Sequence, residues 1–380
     1  MNTLYTVDDL HQQATERTGL TDFGADDYLE GLDILLDSYR REAGLTPLGV
    51  AATREILIGA LIARAKSEAA LESFPAHRDI PIERPIFVTG LPRTGTTALH
   101  RLLSVDPAAQ GLEMWLAERP QPRPADRESW PSNPDFQEIN AMYAAQHIEN
   151  PDMMGMHYMD AYTVEECWRV LQQSMRSIAH ECLAYIPTYS EWLSKQDWTI
   201  PYLRHRQNLQ LIGSNDIEKR WVLKNPSHMF ALDEIMQVYP DALIIATHRD
   251  PQTVIASMSS VNQQATIGWS DTFTAEKVGA TQLELWARGL EKFTSARGSY
   301  NPDQFLDVDY RELVADPLAV VANVYAHFGI PLEDEARAVM AAEIADSRSG
   351  DRKPVHSYNL AEIGLTDQQV TERFAGIGVG

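Results

Sequence analysis

Cysteine is nearly missing from this sequence: 380 residues contain only Cys167 and Cys182. Two thiols set in apolar helical sequence build neither a disulfide framework nor a zinc site, and both read as small core residues. Positive charge is scarce as well, with 32 Lys and Arg against 54 Asp and Glu, a net charge of −22. Broad nucleic-acid binding needs a positive surface that displaces counterions, so this balance argues against it and requires any anionic ligand to be held locally. Long apolar runs are lacking: no stretch approaches the ~18–20 residues of a membrane helix. Residues 1–10 carry Asp8 and Asp9 and no basic start, so they do not read as a signal peptide. The expectation is a cytoplasmic protein with no membrane span. No repeat or low-complexity block occurs, and a 44% hydrophobic content suits one compact globular unit.

What is present divides by periodicity. From Thr6 to about Phe74 the pattern is helical: Asp26 opens a segment with Leu29, Leu32, Leu35 and Leu36 at helical spacing, and a second helix is predicted from about Leu48 to Leu71. At Arg84 it changes to the apolar run Pro85–Thr89, closed by Gly90 and followed by helical sequence over Thr96–Leu103. Further units follow: a strand at Trp221–Lys224, a helix over about Ser227–Val238, a strand at Ala242–Thr247 and a helix from about Pro251. A last strand, Phe305–Val308, precedes helices and a loop around Gly350–Ser357. Alternating strands and helices predict an α/β fold, a P-loop-type parallel sheet flanked by helices. We divide it into an N-terminal helical region, 1–84, and a core, 85–380. A helical insertion at about 135–210 is expected over the sheet's carboxyl edge, where open α/β folds bind ligands.

The most informative stretch is Gly90-Leu91-Pro92-Arg93-Thr94-Gly95-Thr96-Thr97. Two glycines framing four residues, after a strand and before a helix, let backbone N–H groups curl around a phosphate. In a nucleotide triphosphatase a Lys after the second glycine would reach the outer phosphates and a following Ser or Thr would bind magnesium. Thr96 stands in that Lys position. The loop suits an anion but not ordinary ATP hydrolysis, and its cation, Arg93, lies inside it.

Pro92-Arg93-Thr94-Gly95-Thr96-Thr97 resembles the 5′-phosphosulfate loop of sulfotransferases that use 3′-phosphoadenosine 5′-phosphosulfate (PAPS). Thr247-His248-Arg249-Asp250-Pro251 with Ser257 resembles that family's 3′-phosphate motif, and the Arg-to-Ser spacing matches. Arg220 to His228, containing Leu223-Lys224-Asn225-Pro226-Ser227-His228, is similar to an element of a bacterial branch with an N-terminal helical region. The resemblance implies that Arg93, Thr94, Gly95, Thr96 and Thr97 hold the 5′-phosphate. It implies that Arg249 and Ser257 grip the 3′-phosphate, that Tyr310 touches adenine, and that Arg352 and Lys353 belong to a basic closing loop. Lys224 is a second cation for the sulfonate, and His228 serves either catalysis or loop organisation. The donor would be PAPS, the product 3′-phosphoadenosine 5′-phosphate (PAP), and no metal is required.

An acceptor hydroxyl needs a general base, commonly His or Glu in this superfamily. Where the similar branch has Trp-Glu, this sequence has Trp115-Leu116, so the usual carboxylate is displaced or absent. Glu118 shares strand parity with Leu116, Glu113 lies on the other face, and Glu166 is a third carboxylate that the insertion brings near. Met153, Met154, Met156, Tyr158, Met159, Tyr162 and Trp168 are candidates to line a pocket for a hydrophobic, hydroxylated small molecule. The competing readings are a magnesium-dependent P-loop kinase or nucleotide hydrolase, and a non-catalytic nucleotide-binding protein. A homo-oligomer built on the N-terminal helices is compatible with the sequence.

Overall fold

The computed structural model describes residues 4–149, 159–349 and 359–378. Helix α1 (Val7–Thr18) opens on a capping box in which Thr6 and Asp9 satisfy each other's backbone N–H groups. Helix α2 (Leu29–Arg41) follows a short turn at Asp26–Tyr28, and α3 (Pro47–Ser73) begins with Pro47 behind the Thr46 cap.

Five strands form one sheet: β1 (Ile86–Gly90), β2 (Ala109–Gln110), β3 (Arg220–Lys224), β4 (Leu243–His248) and β5 (Phe305–Asp309). Their order is β2-β3-β1-β4-β5, and every pairing is parallel. The predicted α/β class is therefore the observed one. Central strands of a parallel sheet are covered on both faces, which is why β1, β3 and β4 read as continuous apolar runs.

Alternation then sorts their side chains between two cores. Phe87, Leu223 and Ile244 enter a large cluster that also contains Leu10, Leu35, Leu57 and Leu61 of the N-terminal helices. Ile86, Val88, Val222 and Ile245 face a smaller cluster with Leu99, Leu103, Val321 and Val324. The N-terminal helices are thus a layer of the core that carries β1. Arg64 fastens this layer: fully buried, it donates to the carbonyls of Phe23, Ala25 and Gln173 and pairs with Asp27 at 2.7 Å.

Between β2 and β3 the described chain is helical, including α4's successors α5 (Met114–Glu118) and α6 (Pro134–Glu149) and the helix Thr199–Ile212; α4 itself is Thr96–Ser104. The expectation of a strand around Trp115 is wrong, since Met114–Glu118 is one helical turn in which every residue is buried. Pro226–Ala231 is a tight 3₁₀ turn ahead of the helix Leu232–Val238, not one continuous helix. The tail continues past the expected loop into a capped helix, Asp367–Phe374. Among the described residues no helix is long and apolar enough to cross a membrane.

Candidate functional site

The glycine loop joins β1 to α4 at the carboxyl edge of the sheet. Gly90 has φ 128°, and a Cβ there would lie 2.4 Å from the Thr247 carbonyl oxygen. Gly95 has φ 90°, and a Cβ there would lie 2.8 Å from Leu313 and 3.2 Å from the Tyr310 ring. Both positions require glycine for conformation and for space. Between them Arg93 adopts φ 66°, a left-handed conformation that costs a non-glycine residue about 1–3 kcal/mol. The surroundings fix it: Arg249 Nη1 donates to the Arg93 carbonyl at 2.9 Å, and Arg93 Nε donates to Ser257 Oγ at 3.2 Å.

The threonines that the resemblance assigns to the 5′-phosphate differ in their surroundings. Thr94 is fully buried; it donates to the Leu91 carbonyl at 2.6 Å and lies 2.5 Å from Thr247 Oγ1, so its hydroxyl braces the loop and leaves the backbone N–H as its offering. Thr96 and Thr97 begin α4, where unpaired N–H groups and the helix dipole favour an anion.

The second motif forms a wall beside this loop. Asp250 caps the helix Pro251–Ala265 by accepting from Thr253 N at 3.0 Å, and Ser257 is buried on that helix. The Arg249 guanidinium lies over the Tyr310 ring, 4.1 Å from its centroid. Asp309, the last residue of β5, caps the turn that presents Tyr310. Arg93, Arg249, Ser257, Gly95 and Tyr310 are therefore gathered from four segments into one cluster.

Lys224 ends β3 and is completely buried. Its ammonium donates to Thr97 Oγ1 at 3.1 Å and to Glu166 Oε1 at 2.5 Å, with Glu165 Oε1 at 3.9 Å. The insertion is pinned there by backbone bonds, from Cys167 N to the Lys224 carbonyl and from Glu165 N to the Leu112 carbonyl. Next to Lys224, the Asn225 side-chain nitrogen is buried with no hydrogen-bond partner among the described residues.

Other expected residues lie elsewhere. Glu113 is clasped by Arg123 at 2.9 Å and 3.0 Å, and Glu118 pairs with Arg169 at 2.8 Å, both in buried surroundings. With the segment helical, the strand parity expected to set these two on opposite faces does not apply. His228 is enclosed: its Nδ1 lies 2.6 Å from the Tyr202 hydroxyl, and its ring packs edge-on against Phe87. Burial, then the neighbouring His205, Lys224 and His100, holds it well below the usual histidine range, so it is neutral. Burial likewise pushes the Cys167 thiol up to about 12, consistent with an inert core residue.

Tyr162 joins a cluster with Trp130 and Phe136, and Met159 packs against the same core. Arg352, Lys353, Met153, Met154, Met156 and Tyr158 lie outside the described residues. Sequence reasoning missed Arg169, whose pairing to Glu118 joins residues 51 positions apart and carries no local signal.

A model of the sulfotransferase family matches residues 85–334. The chain belongs to that family. A structure of sulfotransferase STF1 from Mycobacterium tuberculosis H37Rv is 55% identical, covers 99% of this chain and 100% of its own, and superposes with a TM-score of 0.92. Sulfotransferase STF9 from Mycobacterium avium is 27% identical over 99% of this chain and 96% of its own, with a TM-score of 0.88. The omega-hydroxy-beta-dihydromenaquinone-9 sulfotransferase Stf3 of Mycobacterium bovis is 26% identical over 265 residues, 65% of this chain and 63% of the relative. This sulfotransferase-family chain thus spans somewhat under two thirds of the length of the curated relatives it matches.

Proposed function

We propose that this protein transfers the sulfuryl group of PAPS to a hydrophobic, hydroxylated small molecule, releasing PAP. The observation that carries the reading is Lys224: a fully buried ammonium at the sheet edge whose donors meet the loop at Thr97. Burying an ammonium is costly unless it is paired, and an anion developing beside the loop would give it a second partner. In the proposed arrangement Arg93, Gly95, Thr96 and Thr97 hold the 5′-phosphate, Thr94 contributing its N–H. Arg249 and Ser257 hold the 3′-phosphate, with Tyr310 against adenine. As the sulfur–oxygen bond breaks, charge builds on the bridging oxygen, and in this reading Lys224 and Arg93 are the cations that stabilise it.

The substrate in the name of Stf3, omega-hydroxy-beta-dihydromenaquinone-9, makes an alcohol of that kind the first acceptor to try. We assign the reaction to the cytoplasm. Thr96 in place of the magnesium-loop Lys disfavours the kinase or nucleotide-hydrolase reading. Calorimetric titration with PAP and with ATP, each with and without EDTA, tests the donor. Metal-independent binding of PAP over ATP is expected; preference for Mg-ATP would overturn the proposal, and PAP binding without transfer to any alcohol would favour the non-catalytic reading.

A further inference from the structure

Resting on the reading above, we infer that Asn225 selects the acceptor: its side-chain N–H donates to the acceptor's oxygen and commits the site to hydroxyls rather than amines. The turn after β3 uses the other polar groups of this residue. Asn225 N donates to the Val88 carbonyl at 3.2 Å, and the Asn225 carbonyl accepts from Thr89 Oγ1 and from His228 N, each at 3.1 Å. Its side-chain oxygen accepts from Ser227 N at 3.2 Å and caps the 3₁₀ turn Pro226–Ala231. That bond fixes which end of the amide is oxygen, because the reverse orientation would set N–H against N–H. What remains is the NH2 group, on a residue only 2% exposed, with no partner among the described residues. Buried amide donors are normally satisfied, so an idle one next to Lys224 marks a place that a ligand fills.

Alternation along β3 separates the two ligands. Val222 faces the smaller core and Leu223 the larger. Continued past the strand end, the pattern sends Lys224 towards α4, where it meets Thr97, and Asn225 to the face of the larger core. Trp115, Cys167 and Leu171 belong to that core, and Cys167 N bonds the Lys224 carbonyl. Lys224 thus serves the donor loop, while the Asn225 amide opens on the side that the insertion covers. A hydroxyl oxygen arriving there has two lone pairs and one hydrogen. One pair attacks sulfur, the second accepts from Asn225 Nδ2, and the proton leaves to a general base. The oxygen–sulfur bond forms, the sulfur–oxygen bond to the 5′-phosphate breaks, and its electron pair departs on PAP. A neutral amine has a single lone pair, which it needs for the attack, so it leaves the Asn225 donor idle in a buried site. A site built around a hydrogen bond rejects an analogue that cannot make it more strongly than a site that merely fits a shape. The acceptor class is thereby narrowed to alcohols.

The test compares an alcohol with an amine of the same shape. Transfer from PAPS is measured for the wild type, Asn225→Ser and Asn225→Asp with omega-hydroxy-beta-dihydromenaquinone-9 and with its omega-amino counterpart, the amine rate expressed per neutral amine. PAP affinity by calorimetry and Tm are recorded beside it. Both substitutions keep an oxygen that can cap the turn and remove the NH2 donor. The wild type is expected to prefer the alcohol. Each variant should lose kcat/KM on the alcohol by about 10–10²-fold, the scale of one hydrogen bond in a closed site, with a smaller loss on the amine. Asn225→Asp should shift the ratio furthest, because its carboxylate accepts from an amine N–H. PAP affinity and Tm should stay close to the wild type. Equal losses on both acceptors, undiminished alcohol transfer, or a fall in PAP affinity that accounts for the whole loss would each overturn the assignment. A wild type that sulfates the amine as fast as the alcohol would overturn it with no variant at all. A wild type that binds no PAP, or transfers to neither acceptor, would instead sink the proposed function on which the assignment rests.

Discussion

Two buried cations, Arg123 beside Gln110 of β2 and Lys224 at the end of β3, have opposite bonding habits. Arg123 spends all five of its donors: on Glu113 twice, Gln110, Asp216 and the Gly111 carbonyl. Its partners come from one corner of the fold. Lys224, equally buried, holds one hydroxyl of the phosphate loop and one partly exposed carboxylate from the insertion. Burial and an ion pair are shared; what separates a clasp from a working group is whether the partners can be exchanged. The same contrast separates Glu113 from Glu166.

Mutation can break that contrast or sharpen it. The largest expected effect is on folding: Arg123→Ala strands Glu113 in buried surroundings and should cost about 3–5 kcal/mol in urea denaturation, with PAP affinity of the folded fraction kept. A small loss there would abolish the distinction. Next, Lys224→Ala should cut kcat by about 10²–10³-fold, the typical loss of one charge-stabilising donor, with a far smaller effect on the urea midpoint. Arg93→Ala should likewise reduce transfer more than stability; retention of full activity in both would remove the proposed roles. Ser257→Ala is expected to weaken PAP binding about tenfold or more in calorimetry, since a hydrogen bond to a charged group is worth about 1.5–3 kcal/mol.

A further expected effect concerns pH. Burial, followed by the nearby Lys224 charge, lowers His100 to about 3. The unfolded chain takes up a proton near pH 6.5 that the folded chain refuses, so stability present above that pH is lost as pH falls towards 3. Replacing His100 with Gln should flatten the slope of stability against pH by about 1.4 kcal/mol per unit within that window. An unchanged slope would mean that the ring finds a partner for its charged form.

Legibility followed the range of the interactions. The glycine loop, Arg249 with Ser257, and Lys224 were readable because each is fixed by its own strand-to-helix junction. The strands were readable because burial on both faces leaves an apolar run. Glu118 misled because a single buried helical turn, Met114–Glu118, has no period long enough to tell it from a strand. Glu166 could be named but not ranked, since its meeting with Lys224 depends on backbone bonds that tie Glu165 to Leu112 and Cys167 to Lys224. Thr94 looked like a ligand because its burial is set by Thr247, a strand away.

The sheet order also dictates when the phosphate loop can exist during synthesis. β1 is flanked by β3 and β4, and Thr89 reaches its partner, the Asn225 carbonyl, across 136 residues of chain. Pairings so distant in sequence form slowly, because a long loop must close before any contact rewards it. A nascent chain that has emerged through the insertion carries the whole loop sequence, yet both edges of β1 are unpaired. Until β3 and β4 follow, it is a bare apolar strand, and the ribosome has to deliver nearly two thirds of the protein before the glycines have anything to turn against.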